Sequence, residues 1–215
     1  MSEKPTQLDL ADISPDFISK EAMKKQKIIG SLFDTYWLVE YEDKLYIIDQ
    51  HAAHEKVLFE RNMKRIRQKE MTSQIISPPL VLSLDGRETQ ALDRYRDQLM
   101  TLGYEWEHFG GKEYMITAVP DNLLNIDMKA LFLEILDDFS DITGRETPDL
   151  ILERAASISC KAAVKGHDKL GLREAEALIT ELLSLENPYN CPHGRPTIIS
   201  MSQYELEKKF KRIVS

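Results

Sequence analysis

The apolar positions of this chain change period as it runs. From Lys27 to Asp49, "KIIGSLFDTYWLVEYEDKLYIID" interleaves Ile, Leu, Val, Trp and Tyr with polar residues, and Glu42-Asp43-Lys44 interrupts the run. That pattern predicts a meander of two or three strands. After Asp49 the spacing becomes helical, and a helix is expected from about His51 to Lys69. It closes before "SQIISPPLVLSL", where Pro78 and Pro79 force extended backbone leading into a strand.

"DGRETQALDRYRDQLMTLG" places Leu92, Tyr95, Leu99 and Leu102 on one helical face and ends at Gly103. "YEWEHFGGKEYMITAVP" reads as a hairpin across Gly110-Gly111. A further helix is expected around "MKALFLEILDDF", followed by a polar loop through Thr147 and Pro148. In "DLILERAASISCKAAVK" the stripe Ile151, Ala155, Ile158, Ala162 predicts a helix with Cys160 and Lys161 on other faces. "GLREAEALITELLSL" is a strongly amphipathic helix, "NPYNCPHGRPTIISM" a loop entering a short strand, and "SQYELEKKFKR" a terminal helix.

Strands and helices interleave irregularly around a mid-chain hairpin, which predicts an α+β fold rather than a doubly wound sheet. The expected organisation is a mixed-sheet main lobe from residues 23–72 and 149–215, with an inserted α/β lobe over residues 73–148. Residues 1–22, polar and Pro-containing, are expected to be a disordered linker remnant.

Composition sharpens this in three places. No run of eighteen apolar residues occurs, so no membrane span is expected, and the N-terminus lacks a signal-peptide core; both point to the cytoplasm. The net charge of −8 argues against a general-purpose nucleic-acid binder, and the basic run "RNMKRIRQK" reads first as a solvated helix face. Only two cysteines occur, Cys160 and Cys191, each inside a dense local motif, which suggests ligands or nucleophiles rather than core filler.

The stretch "IIDQHAAHEKVLFE" crowds titratable groups onto a helix start. His51 and Glu55, at i and i+4, share a face. Asp49 precedes the helix, where the amides and the dipole stabilise a carboxylate; as an N-cap alone it would contribute about 1 kcal/mol. In "CPHGRP", Cys191 and His193 both point to one side if Pro192 extends the chain. Gly194 supplies a bend and Arg195 a fixed cation, either for a structural carboxylate pair or for a phosphate. Asp49, His51, Glu55, Cys160, Cys191 and His193 exceed the four ligands of a closed zinc site, and hard carboxylates beside soft thiols suit two positions, one for Zn²⁺ and one for Mn²⁺ or Mg²⁺. Two metals could clamp a phosphodiester and activate water. A purely structural zinc and a Cys191–His193 nucleophile are the competing readings; carboxylates close by fit a metal better than a thiol nucleophile.

These motifs resemble the C-terminal domain of the MutL mismatch-repair family, in its endonuclease-bearing lineage. "DQHAAHEKVLFE" matches the family's D-Q-H-A-x-x-E-x-x-x-x-E through Asp49, Gln50, His51, Ala52, Glu55 and Glu60. "SCKAA" is similar to its [AS]-C-[KR]-x-A motif through Ser159, Cys160, Lys161 and Ala163, and C-P-H-G-R-P stands unaltered from Cys191 to Pro196.

The resemblance implies a homodimeric, metal-dependent DNA endonuclease that nicks one strand of duplex. Glu55, Cys191 and His193 would be the zinc ligands, and Asp49 and His51 would serve the catalytic metal and its water. Gln50, Glu60, Lys161 and Arg195 would stand behind the ligands. It also implies a sliding-clamp peptide, Gln74, Ile76 and Pro78 of "QIISP", and, as further partners, an N-terminal ATPase half and a mismatch-recognition protein. No Gly-rich phosphate loop for that ATPase occurs in these 215 residues, so little nicking is expected of them alone.

Overall fold

The computed structural model describes residue 17 and residues 25–123, 126–144, 146–164 and 170–213. It is an α+β structure with two separate antiparallel sheets. The chain divides into two compact units. One is formed by the described residues of Met1–Val57 and His167–Ser215, the other by those of Leu58–Gly166. The first boundary, after Val57, falls inside a helix, and the second follows Gly166; the sequence suggested cuts near Ser73 and Pro148.

In the first unit, β1 (Lys27–Leu32), β2 (Tyr36–Tyr41), β3 (Lys44–Asp49) and β7 (Ile198–Ser202) form a sheet in the order β1-β2-β3-β7. Alternation of side chains across the pleat puts Trp37, Val39, Tyr41, Tyr46, Ile48 and Ile198 on one buried face. The register agrees, pairing Trp37 with Ile48, Val39 with Tyr46, and Ile48 with Ile198. Ala53 and Val57 of α1 (Gln50–Gln68) and Ala175, Leu178, Ile179, Leu182 and Leu183 of α6 (Leu172–Leu183) complete this core. Full burial of one such Ile or Leu stabilises by roughly 1.5–3 kcal/mol. Phe17 joins the same core, fully buried and stacked on Tyr46 with ring centroids 3.6 Å apart. The rest of the expected linker remnant lies outside the described residues, apart from its neighbours from Lys25 on. The opposite face of the sheet carries Leu38, Leu45, Ile47, Ile199 and Met201, all only half-buried.

In the second unit, β4 (Ser73–Ser83), β6 (Glu113–Pro120) and β5 (Glu105–Gly110) form a sheet in the order β4-β6-β5. Its core joins Leu82, Ile116 and Val119 to Ala91, Leu92 and Tyr95, to Leu99 and Leu102, and to apolar side chains of two longer helices. The two shorter helices are α2 (Gly86–Arg94) and α3 (Arg96–Leu102), and the two longer ones α4 (Met128–Ser140) and α5 (Pro148–Val164). The capping box of Asp85 and Glu88 starts α2. Gly103 ends α3 at φ +100°, where a Cβ would stand 3.1 Å from the Thr72 carbonyl oxygen, so glycine is required there. A last helix, α7 (Gln203–Lys209), follows β7 in the first unit and is capped by Ser202. Among the described residues no helix is long and apolar enough to cross a membrane.

Two expectations need correction. The helix predicted from Asp85 to Gly103 is two helices, broken at Tyr95 with φ −109° and ψ 24°. The apolar stripe continues across the break, because Ala91, Leu92, Tyr95, Leu99 and Leu102 are all buried; a stripe reports a buried face, not an unbroken backbone. In α5 the buried set is Ile151, Leu152, Ala155, Ala156, Cys160 and Val164, with Ile158 and Ala162 half-buried. Cys160 therefore sits on the core face rather than away from it, since Ala156 and Cys160 are one turn apart.

Candidate metal centre

Asp49 ends β3 and caps α1. Its Oδ1 accepts from the His51 amide at 2.9 Å and the Ala52 amide at 3.0 Å, satisfying two donors that a helix start leaves open. Its own N–H donates to the Thr197 carbonyl at 2.9 Å, just beyond the last β3–β7 register pair. The helix start is thereby tied to the chain leaving the C-P-H-G-R-P loop.

That loop is a tight turn. Cys191 N–H donates to the Arg195 carbonyl and Gly194 N–H to the Cys191 carbonyl, each at 2.9 Å. Asn190 and Pro196 form a bridge across its base. Gly194 lies at φ +78°, in the left-handed region that side chains disfavour. Thr197, buried, donates its amide to the Tyr189 carbonyl at 2.9 Å and its hydroxyl to the Pro188 carbonyl.

The turn delivers Cys191 and His193 to Glu55, one turn past His51 on α1. One ligand atom from each of Glu55, Cys191 and His193 lies within 4.8 Å of the others. Glu55 is only 4% exposed, Cys191 is buried and His193 is exposed, so the group opens to solvent on the imidazole side. A single carboxylate oxygen, Glu55 Oε2, contacts Arg195 Nη2 at 2.7 Å and His193 Nδ1 at 3.2 Å. A buried carboxylate needs such partners, since an unpaired charge there is strongly destabilising. Arg195 is held protonated beyond its already high ordinary range, first by the Glu55 carboxylate and then by the Cys191 sulfur.

The donor set suits zinc. A carboxylate oxygen, a sulfur and an imidazole nitrogen are its usual ligands, and a tetrahedral site separates ligand atoms by about 3.3–3.8 Å, within what this trio offers. Three protein ligands would leave one coordination position open, as zinc sites that do chemistry require.

The other site candidates lie as follows. Asp49 and His51 do not join the trio at that distance; His51 is half-buried in the first turn of α1. Cys160 belongs to the second unit, where its sulfur accepts from Asn62 Nδ2 at 3.4 Å and Asn62 Oδ1 accepts from Asn122 at 2.7 Å. Lys161, in that unit, reaches Glu134 at 3.8 Å, and Glu60 is half-buried further along α1. Gln50 is buried and accepts from the Trp37 indole at 3.0 Å. Of the clamp motif, Gln74 and Pro78 are exposed on edge strand β4, while Ile76 is half-buried and packs on the second core. The register of β4 on β6 shifts between Ile75 and Leu80, where Pro78 and Pro79 have no N–H to offer a ladder.

Sequence reasoning passed over two residues. Thr197 anchors the loop to both Asp49 and Tyr189, and only its place just after Pro196 hinted at this. Lys56 is 7% exposed in α1, and its i+4 spacing from the fully buried Ala52 was the available signal.

A strand-end helix start and a cysteine–histidine turn thus define a two-unit α+β chain with a carboxylate–thiol–imidazole centre in its first unit. A model of the MutL C-terminal dimerisation domain matches residues 29–170. A DNA mismatch repair protein MutL from Agathobacter rectalis is 68% identical over 209 residues, covering 97% of this chain and 32% of that protein. MutL of Clostridium tetani is 41% identical over 213 residues, or 99% of this chain and 34% of that protein. MutL of Clostridium botulinum strain Loch Maree is 42% identical over 187 residues, or 87% of this chain and 28% of that protein. The chain spans about a third of the length of these curated relatives. It belongs to the MutL C-terminal dimerisation domain family.

Proposed function

We propose that this chain is the metal-dependent endonuclease and dimerisation part of a DNA mismatch repair protein, nicking one strand of duplex DNA. The observation that carries the reading is the meeting of Glu55, Cys191 and His193 from a helix and a distant loop. These three would hold Zn²⁺, and Asp49 and His51 would face a second, harder cation, Mn²⁺ or Mg²⁺. Bound there, metals would draw charge from the phosphoryl oxygens and lower the pKa of a water so that it attacks phosphorus as hydroxide while one P–O ester bond breaks. The residues do the positioning. The capping bonds fix the direction of the Asp49 carboxylate, and His51 would take the proton of that water.

In this reading a second copy docks on the half-buried apolar face of the first sheet, Leu38, Leu45, Ile47, Ile199 and Met201. A sliding clamp takes Gln74, Ile76 and Pro78, and an N-terminal ATPase half and a mismatch-recognition protein complete the assembly. The setting is the cytoplasm, on nucleoid DNA.

One observation favours a second reading, a zinc-stabilised dimerisation and clamp-interaction module without catalysis: Asp49 Oδ1 is already committed to capping, and neither Asp49 nor His51 joins the group of ligand atoms. Conversion of closed circular plasmid to nicked circle, with Mn²⁺ and with the chain joined to its expected ATPase half, decides between them. The endonuclease reading expects nicking that Asp49→Asn abolishes while the dimer persists. Nicking retained in Asp49→Asn would remove the role given to that residue, and no nicking with any divalent ion would leave the module.

A further inference from the structure

Arg195 is paired with one of the three candidate ligand side chains. Its Nη2 lies 2.7 Å from Glu55 Oε2. Glu55 is buried, whereas the Arg195 side chain is 53% exposed. The guanidinium therefore covers Glu55 and neutralises a carboxylate that could not remain buried alone. Glu55 Oε2 already carries Arg195 and His193 together. A metal drawing on that oxygen, the sulfur and the imidazole meets a positive charge already seated on the carboxylate.

We infer that Arg195 is a built-in counter-cation that competes with the metal for Glu55, so that the centre stays folded without metal and exchanges it reversibly. The inference rests on the metal reading above and concerns the terms on which the metal enters. It sets this centre apart from small structural zinc sites, whose folding free energy is the metal's binding free energy. Here the geometry supplies a competing cation, on a side chain exposed enough to move aside. The alternative role of an arginine behind a ligand is to hold it in ligating orientation, and that role has the opposite sign: its removal weakens metal binding.

The test is zinc affinity at fixed pH, measured by competition with a chromophoric chelator, together with the melting temperature of chelator-stripped protein. Wild type, Arg195→Gln, Arg195→Lys, Glu55→Gln and Cys191→Ser are compared. Arg195→Gln is expected to bind zinc at least tenfold more tightly than wild type and to melt lower when stripped. Arg195→Lys, which keeps the charge but not the fork, is expected to stay within about threefold of wild type. Unchanged or weaker zinc binding in Arg195→Gln overturns the inference, as does stripped wild type that is unfolded. Should Arg195→Gln fold poorly, Arg195→Lys still decides, because loss of zinc affinity with the charge kept would mark an orienting role. If wild type binds no more zinc than Glu55→Gln and Cys191→Ser do, the metal reading itself falls, and the competition with it.

Discussion

The Trp37 indole N–H donates to the Gln50 side-chain carbonyl at 3.0 Å, between residues only 5% and 4% exposed. It ties strand β2 to the first residue of α1, and so fixes the helix start that carries Asp49, His51 and Glu55. Replacing Gln50 by Leu would leave the indole donor buried and unsatisfied, at a cost of about 1–3 kcal/mol. We expect Gln50→Leu to lower stability by that amount in urea denaturation. A double-mutant cycle with Trp37→Phe should return a coupling near 1 kcal/mol. Additive losses would mean that the bond contributes nothing and that Gln50 is held by packing alone.

Asp49 has two separable roles, and Asn distinguishes them. Asn caps a helix about as well as Asp, while Ala does not. Asp49→Asn should therefore keep the wild-type melting temperature to within about a degree or two, and Asp49→Ala should lose about 1 kcal/mol. On the endonuclease reading both abolish nicking. A stability loss in Asp49→Asn equal to that of Asp49→Ala would show that the carboxylate's charge, rather than its oxygen as acceptor, holds the helix start.

The contrast between the two cysteines shows what was legible in the sequence. Strand alternation, the His51–Glu55 spacing and the turn chemistry of C-P-H-G-R-P are local signals, and β2, β3, α1 and the Cys191 turn follow from them. The meeting of Glu55 with Cys191 and His193 spans more than a hundred residues, and no spacing encodes it; the motif resemblance suggested it. Cys160 enters the candidate ligands through its dense local motif and the family resemblance. It lies on the core face of α5 with Ala156, while of the predicted stripe Ile151 and Ala155 are buried and Ile158 and Ala162 pack half-buried against the same core. The break at Tyr95 left no trace, because a side-chain stripe does not register one missing turn of backbone hydrogen bonds.

Acid should weaken the entry to β4. Asp121 is held below the usual carboxylate range, chiefly by Arg65, whose Nη1 is 3.0 Å away, and next by the Thr72 hydroxyl. A depressed folded-state pKa means stability that is complete above about pH 4, the unfolded range. That stability is lost as pH falls through the lower folded value. The Asp121 side chain is 38% exposed, so solvent screening limits the contribution to about 0.5 kcal/mol. Asp121→Asn should lose that amount at pH 7 and show a shallower decline of melting temperature below pH 4. An acid limb identical to wild type would remove Asp121 as its source.

The proposed clamp peptide makes a prediction at single-residue resolution, because the structure splits its two isoleucines. Ile76 packs on the protein's own second core, while Ile75 is 81% exposed on the edge strand. Gln74→Ala combined with Pro78→Ala should abolish binding to a sliding clamp in calorimetry with no loss of stability. Ile76→Ala should weaken clamp binding and also destabilise the fold, by up to about 2 kcal/mol. Binding that survives Ile76→Ala but fails in Ile75→Ala would transfer the pocket-filling role to Ile75.

The outer face of the first sheet should govern association. Ile47 pairs with Leu38 on one side and Ile199 on the other, so these three form one apolar row across three strands. Leu45 and Met201 extend it toward a groove of about 310 Å³ edged by Glu40, Glu42 and Asp43. None of these five apolar residues belongs to the buried core of the chain, and a contiguous row of this kind marks a surface that another surface covers. A glutamate at its centre would place a charge in a dehydrated contact with no partner. Ile47→Glu should shift the protein from dimer to monomer at micromolar concentration in sedimentation equilibrium, with the circular dichroism of the helices unchanged. A dimer that persists in Ile47→Glu and Ile199→Glu alike would place the interface on another surface of the chain.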